Sequence, residues 1–175
     1  ADRNLCVIPD GVSFVQAAAM GCRFMTAYRA VVQRGRLRHG HVMAVFGCGG
    51  LGLSCVAIGA ARRTDSRDGG GGTGTGTGAA VRVIAVDVND DALRKAKSLG
   101  AWKVVNASRG IDYVREMIID RLTDGVGADV TVDAGGFAAT CEAAVWCTRR
   151  GGRMVQVGLP PPGDSAPVVP MGYVA

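Results

Sequence analysis

Between Val42 and Ala61 the chain runs for twenty residues without a charged side chain. A run of that length could cross a bilayer as a helix. Five of the twenty are glycine, however, and four of these fall in Gly47-Cys48-Gly49-Gly50-Leu51-Gly52. Glycine inside a helix is unfavourable by roughly 0.5–1 kcal/mol relative to alanine. A buried strand, a tight turn and a buried helix account for the same residues without that penalty. The run therefore predicts a strand at 42–46, a glycine turn and a helix at about 51–62, and it argues against a membrane span.

The periodicity on either side extends this unit. Residues 1–12 read as an extended lead-in ending in the Pro9-Asp10-Gly11 turn. Ser13 is a candidate N-cap for a helix at about 14–20. Gly21-Cys22 is expected to interrupt it before a second helix at about 23–33, closed by Gly35. Arg34, Arg36, Arg38, His39 and His41 form a basic turn, read as a solvated loop. Downstream, strands are expected at 81–86, 102–106, 129–133 and 153–158. The intervening helices are placed at Asp90–Leu99 (capped by Asn89 and Gly100), at about 111–123 with Val114, Met117, Ile118 and Leu122 on one face, and at about 138–149. Short β-branched runs alternating with helices imply βαβ units: a Rossmann-type doubly wound parallel sheet of about five strands, covered on both faces. The Gly/Thr-rich segment 62–80 buries too little apolar area to offset its ordering entropy and is expected to be a flexible insertion. It joins a helix end to a strand start, away from the ligand crevice of such a sheet.

Composition narrows the function. At 175 residues and 48% apolar the chain supports one core. A net charge of +5 suits an anionic ligand as well as it suits nucleic acid, but no nucleic-acid signature is present and aromatics make up only 5%. The six cysteines contain no C-x-x-C pair, which fits reduced thiols in a cytoplasmic protein; Cys48, Cys55, Cys141 and Cys147 are expected to be small core residues. The opening ADRNLCVIPDG does not read as a secretory signal.

The strongest chemistry is the G-x-G-x-x-G at 47–52, directly after an expected strand. Gly47 permits the tight turn, Gly49 lets the backbone approach a pyrophosphate, and Gly52 allows close helix–strand packing. The helix start then offers N–H donors to the phosphates; Gly50 belongs to the same cradle. Asp87 closes the second strand in VIAVDVND and is placed to accept from the ribose hydroxyls. Its offset from the last glycine is 87 − 52 = 35 residues, longer than the usual ~20, and the Gly/Thr insertion accounts for the excess. A carboxylate there repels a 2′-phosphate, so NAD is expected rather than NADP.

With GCGGLG and VIAVDVND placed, the chain resembles the zinc-dependent medium-chain alcohol dehydrogenases, over nearly its whole length. MGCRFMTAYRAVV resembles the helix that carries the family's third catalytic zinc ligand, which makes Cys22 the metal candidate and Thr26 a nicotinamide neighbour. SLGA at 98–101, GADVTVDAGG at 127–136 and GGRMVQVGLP at 151–160 resemble later family landmarks. By the same resemblance Val157, Gly158 and Leu159 run beside the nicotinamide, and Leu51 packs against its ring. The resemblance implies residues 1–40 as a junction with a catalytic domain, 41–160 as the dinucleotide-binding domain and 161–175 as a truncated tail.

The resemblance also implies hydride transfer between NAD and an alcohol, aldehyde or ketone, with zinc as Lewis acid. It further implies a homodimer or homotetramer, with neither nucleic acid nor membrane as partner. Departures are expected to matter. Residues 1–21 show nothing of the catalytic domain that supplies the other two zinc ligands, and no four-cysteine structural zinc lobe is present. The chain is thus read as incomplete relative to the family, inactive alone, with no catalytic residue of its own and an open apolar edge at the fifth strand. The alternatives are a zinc-independent quinone or enoyl reductase, an S-adenosylmethionine-dependent methyltransferase, and a non-catalytic nucleotide-binding remnant. Against the second stands the absence of an acid at the first strand's end, where Val45 and Phe46 lie.

Overall fold

The computed structural model describes residues 5–62, 80–163, 166–169 and 171–174. Five strands form one all-parallel sheet: β1 (Val42–Phe46), β2 (Arg82–Asp87), β3 (Lys103–Asn106), β4 (Ala128–Asp133) and β5 (Thr148–Gln156), in the order β3-β2-β1-β4-β5. β1 is central, paired in register with β2 from Val42↔Arg82 to Phe46↔Val86, and on its other side with β4 from Met43↔Val130 to Phe46↔Asp133. All five β1 residues are buried, because both faces of a parallel sheet are covered. On one face Met43, Val45, Val83, Ala85, Val130 and Val132 pack against α3 (Gly50–Ala61) and α4 (Asp90–Ser98), together with Ala27 and Val31 from the N-terminal helices. On the other, Ala44, Phe46, Ile84 and Val86 meet Val114 of α5 (Ile111–Arg115), Ile118 of the wide turn at Glu116–Arg121 that continues it, and Ala143, Ala144 and Cys147 of α6 (Ala138–Cys147).

The caps follow from local chemistry. Ser13 and Gln16 form a reciprocal capping box at the start of α1 (Phe14–Ala19). Asn89 accepts from the N–H groups of Asp91 and Ala92, with Asp90 and Asp91 in the first turn of α4 and Lys95 and Lys97 in its last, as the helix dipole favours. Gly100, at φ 100°, ends that helix.

Four expectations are corrected. Gly21-Cys22 does not break the first helix: the run continues through a wide π turn at Met20–Phe24, α2 (Met25–Tyr28) and a second wide turn at Arg29–Arg34. A single interior glycine costs too little to stop a helix, and the wider turn absorbs the phase change. Nor does Gly35 end it in a left-handed conformation. Arg36 does, at φ 50°, while a Cβ at Gly35 would lie 2.9 Å from the Ala30 carbonyl and from Val130. Finally, α6 ends at Cys147, so the fifth strand begins at Thr148 rather than at 153. The Thr148 hydroxyl is held by Thr131 and the Ala144 carbonyl, and the extra residues of β5 are looped out where its register to β4 shifts between Ala128 and Val130. The β5 edge therefore carries Arg149, Arg150 and Arg153 beside Met154 and Val155, and is mixed rather than apolar.

Of the Gly/Thr-rich insertion, residues 63–79 lie outside the described residues. Its anchors, Arg62 after α3 and Ala80 before β2, lie at the end of the sheet away from the fingerprint. No helix among the described residues is long and apolar enough to cross a membrane.

Candidate functional site

The strand order reverses between β1 and β4, and the chain ends of these two strands frame the crevice in which open α/β sheets take ligands. β1 leaves its last residue, Phe46, into a bend closed from both sides. The Gly47 N–H donates to Val86 at 2.8 Å, while the Phe46 carbonyl accepts from Ala134 and Gly135 at 2.8 and 3.0 Å. Gly47 has φ 90°, and a Cβ there would lie 2.7 Å from the Gly135 nitrogen, so only glycine fits. Gly52 is required for a different reason: a Cβ would collide with the Gly47 carbonyl oxygen. Gly49 is the opposite case, with nothing within 4 Å of a Cβ position. The three fingerprint glycines thus divide into two that the fold needs and one that faces open space at the head of α3. Gly49 is the N-cap of that helix, no side chain caps it and its first turn contains no acid, so its N–H groups remain available to an anion.

Asp87 ends β2 and points into the same bend. One carboxylate oxygen accepts from the Cys48 N–H at 2.6 Å and the other from the Asn89 N–H at 2.8 Å. An ionised carboxylate has about four acceptor positions, so the half-buried side chain retains capacity for a further pair of donors. Beside it opens a mostly apolar cavity of about 350 Å³, lined among others by Val88, Ala107, Ile111, Phe137 and Thr140. None of these five was singled out from the sequence as a site residue, because they come from three separate connections that only the parallel order brings together.

The opposite wall is built on Asp133, fully buried at the end of β4. One of its carboxylate oxygens accepts from the Gly135 and Gly136 N–H groups at 3.0 Å each, and the other from Gln156 at 2.7 Å. Its carbonyl accepts from Val157 and Gly158. Gly158 and Gly136 approach so closely that neither has room for a side chain. Asp133 was legible only as part of a landmark, DAGG, and its clasp depends on Gln156 from the adjacent strand.

The remaining sequence candidates fall around this crevice. Leu51 and Val157 pack partly into the core beneath it, Thr26 is half-buried in α2, and Leu159 is 87% exposed. Cys22 is exposed within the wide turn at Met20–Phe24. Arg23, next to it, lies against Gly50: a Cβ added there would be 2.7 Å from a guanidinium nitrogen.

The other thiols are free as well. Cys48, Cys55 and Cys147 are buried, and burial pushes each up to about 12, which makes them inert packing groups at neutral pH. Cys141, expected in the core, is only half-buried. Among the described residues no three His, Cys, Asp or Glu side chains gather as a metal site. A catalytic zinc takes three protein ligands, and Cys22 has no pair of His, Cys, Asp or Glu side chains beside it, so the described residues do not make a complete zinc site.

Comparison with known proteins agrees with this geometry. Residues 75–175 match the family model of the zinc-binding dehydrogenases. The chain is 35% identical over 150 residues to the alcohol dehydrogenase class-2 isozyme 2 of Oryctolagus cuniculus, covering 86% of this chain and 35% of that protein. Among solved structures, the alcohol dehydrogenase TADH from Thermus sp. ATN1 superposes with a TM-score of 0.71 at 31% identity, over 93% of this chain and 41% of its own. A structure described as an NAD-dependent alcohol dehydrogenase superposes with a TM-score of 0.73 at 31% identity, over 98% of this chain and 43% of its own. The chain spans about a third of the length of the curated relative and about two fifths of these structures.

Proposed function

This chain belongs to the zinc-binding dehydrogenase family, and on that premise we propose that it is the cofactor-binding part of an NAD-dependent alcohol dehydrogenase. Residues 41–160 form the dinucleotide-binding unit in this reading, residues 1–40 the junction with a catalytic domain, and 161–175 a C-terminal tail. The observation that carries the proposal is the pairing of an unobstructed Gly49 at the head of α3 with the Asp87 carboxylate gripping the same bend. The helix-start N–H groups near Gly49, Gly50 and Leu51 receive the diphosphate. Asp87 accepts from the adenosine ribose hydroxyls with its free lone pairs, and its charge disfavours a 2′-phosphate. The apolar cavity beside Val88 and Ile111 is of a size and polarity to take adenine. At the other end Thr26, Val157, Gly158 and Leu159 flank the nicotinamide.

Bound NAD supplies the hydride acceptor, and the substrate is a small alcohol, with the aldehyde or ketone as product. Thr26, Val157, Gly158 and Leu159 would hold the acceptor ring, and the chain's role would be to orient it and keep water from its core side. Cys22 is assigned as one zinc donor, its partners coming from outside the described residues. The named relatives support this reading over a quinone or enoyl reductase, and the buried Phe46 at the end of β1 leaves no acid for a methyltransferase's cofactor. A cytoplasmic location suits the unpaired thiols, and a homodimer or homotetramer is the assembly expected of the full protein.

The test is cofactor preference. In the full-length enzyme, alcohol oxidation should favour NAD over NADP, and Asp87→Asn should cut that preference roughly tenfold, equivalent to about 1.4 kcal/mol. Equal use of both cofactors by the wild type would remove the assignment of Asp87 and of NAD.

A further inference from the structure

Arg23 places a cation where the fingerprint alone would not. The π turn at Met20–Phe24 carries it immediately after Cys22, and its side chain lies across the first residue of α3. Its Nη1 and Cδ atoms stand 2.7 and 2.8 Å from the position of a Cβ on Gly50. No carboxylate lies within 4.0 Å of Arg23 among the described residues. Nor does the helix end beneath it provide one, since α3 has no acid in its first turn and no capping side chain.

A guanidinium set against the positive end of a helix is in an unfavourable field. The arrangement becomes favourable when an anion with several oxygens enters between them. The helix N–H groups then donate from one side and the guanidinium fork from the other, the geometry in which arginine holds phosphates best. The open space at Gly49 gives such an anion its route in.

We propose that Arg23 is the cationic partner of the cofactor's diphosphate, clamping it onto the head of α3. The proposal rests on the dinucleotide-binding reading above and adds to it a residue from outside the glycine motif. It also has a mechanical corollary. Arg23 shares one helical run with Cys22 and Thr26, so the same backbone that grips the diphosphate sets the position of the groups at the reacting end.

The experiment compares wild type, Arg23→Gln and Arg23→Lys in the full-length protein, titrating NAD, ADP and adenosine by calorimetry at two salt concentrations. Arg23→Gln is expected to weaken NAD and ADP roughly 10- to 100-fold, the loss of a charge-assisted contact, and to leave adenosine within about twofold. Arg23→Lys should restore part of the loss, and the salt dependence of ADP binding should become shallower in Arg23→Gln. The melting temperature of the ligand-free variant should hold or rise, because a like-charge contact has been removed. Unchanged NAD and ADP affinities in Arg23→Gln would overturn the proposal while leaving the dinucleotide reading intact. An equal loss for adenosine, or a large drop in ligand-free stability, would make Arg23 a structural residue and overturn it as well. A wild type that binds neither NAD nor ADP would sink the dinucleotide reading and this proposal with it.

Discussion

Gly49 and Gly52 stand three residues apart in one motif and answer to different constraints. A Cβ at Gly52 meets the Gly47 carbonyl, whereas one at Gly49 meets nothing. Gly52→Ala should therefore destabilise the fold by about 1–3 kcal/mol or more, the cost of forcing atoms into a filled space. Gly49→Ala should leave the melting temperature nearly unchanged and still weaken NAD, because the added methyl occupies the approach of the diphosphate. Thermal melts and NAD titrations of the two variants check this, and equal effects on both readouts would contradict it. Asp87 is likewise held by the fold: its carboxylate is anchored by Cys48 and Asn89, which on the proposed reading orients it for the ribose. The motif and Asp87 were visible in the sequence because each is a local pattern tied to a strand end. Arg23 and the lining at Ala107, Ile111 and Phe137 were not, since their proximity depends on how separate connections stack over the sheet.

Among the elements, the start of β1 is held by a charged node that the sequence presented only as a basic turn. Asp129 accepts from the Val42 N–H at 2.7 Å and from Arg149 at 2.7 Å, with His41 4.0 Å away. Burial alone would raise the Asp129 carboxyl, but the hydrogen bonds from Val42 and Arg149 and the neighbouring charges outweigh it and hold it below its ordinary 3.8. Burial lowers His41 below its ordinary 6.5, against the pull of Asp129 and with help from Arg149 and Arg38.

The signs agree. A depressed folded-state value means the unfolded chain takes the proton first, so stability falls as pH drops through 6.5 for His41 and through 3.8 for Asp129. Chemical denaturation should show stability declining from about pH 7 to about pH 5, and His41→Gln should flatten that part of the profile. A wild-type profile level across this window would remove His41 from the account. Strand and helix types were legible here because the sheet is buried on both faces and its runs are short and β-branched. Boundaries slipped where side-chain bonds decided them: Thr148 leaves the helix to bond Thr131, and the wide turn at Met20–Phe24 absorbs a glycine that looked like a break.

For the whole molecule, the parallel order places the glycine turn after β1, Asp87 and Asp133 at one end of the sheet and the anchors of the Gly/Thr-rich insertion at the other. Ligand occupancy should then register as global stability. At NAD concentrations about 100 times Kd, binding adds about 2.7 kcal/mol, which for a domain of this size is a rise of roughly 5–10 °C in melting temperature. No shift at millimolar NAD would count against the cofactor assignment. The family was readable from motifs spread along the chain. The zinc was not readable from the chain's own chemistry, because a catalytic zinc needs three protein ligands and no such group gathers among the described residues.

The Asp133 clasp has a kinetic meaning. With its carboxylate already satisfied by Gly135, Gly136 and Gln156, and its carbonyl by Val157 and Gly158, the floor beneath the crevice is assembled before any visitor arrives. Little ordering remains to slow capture, so residence time rather than encounter frequency becomes the quantity that changes around this wall can tune.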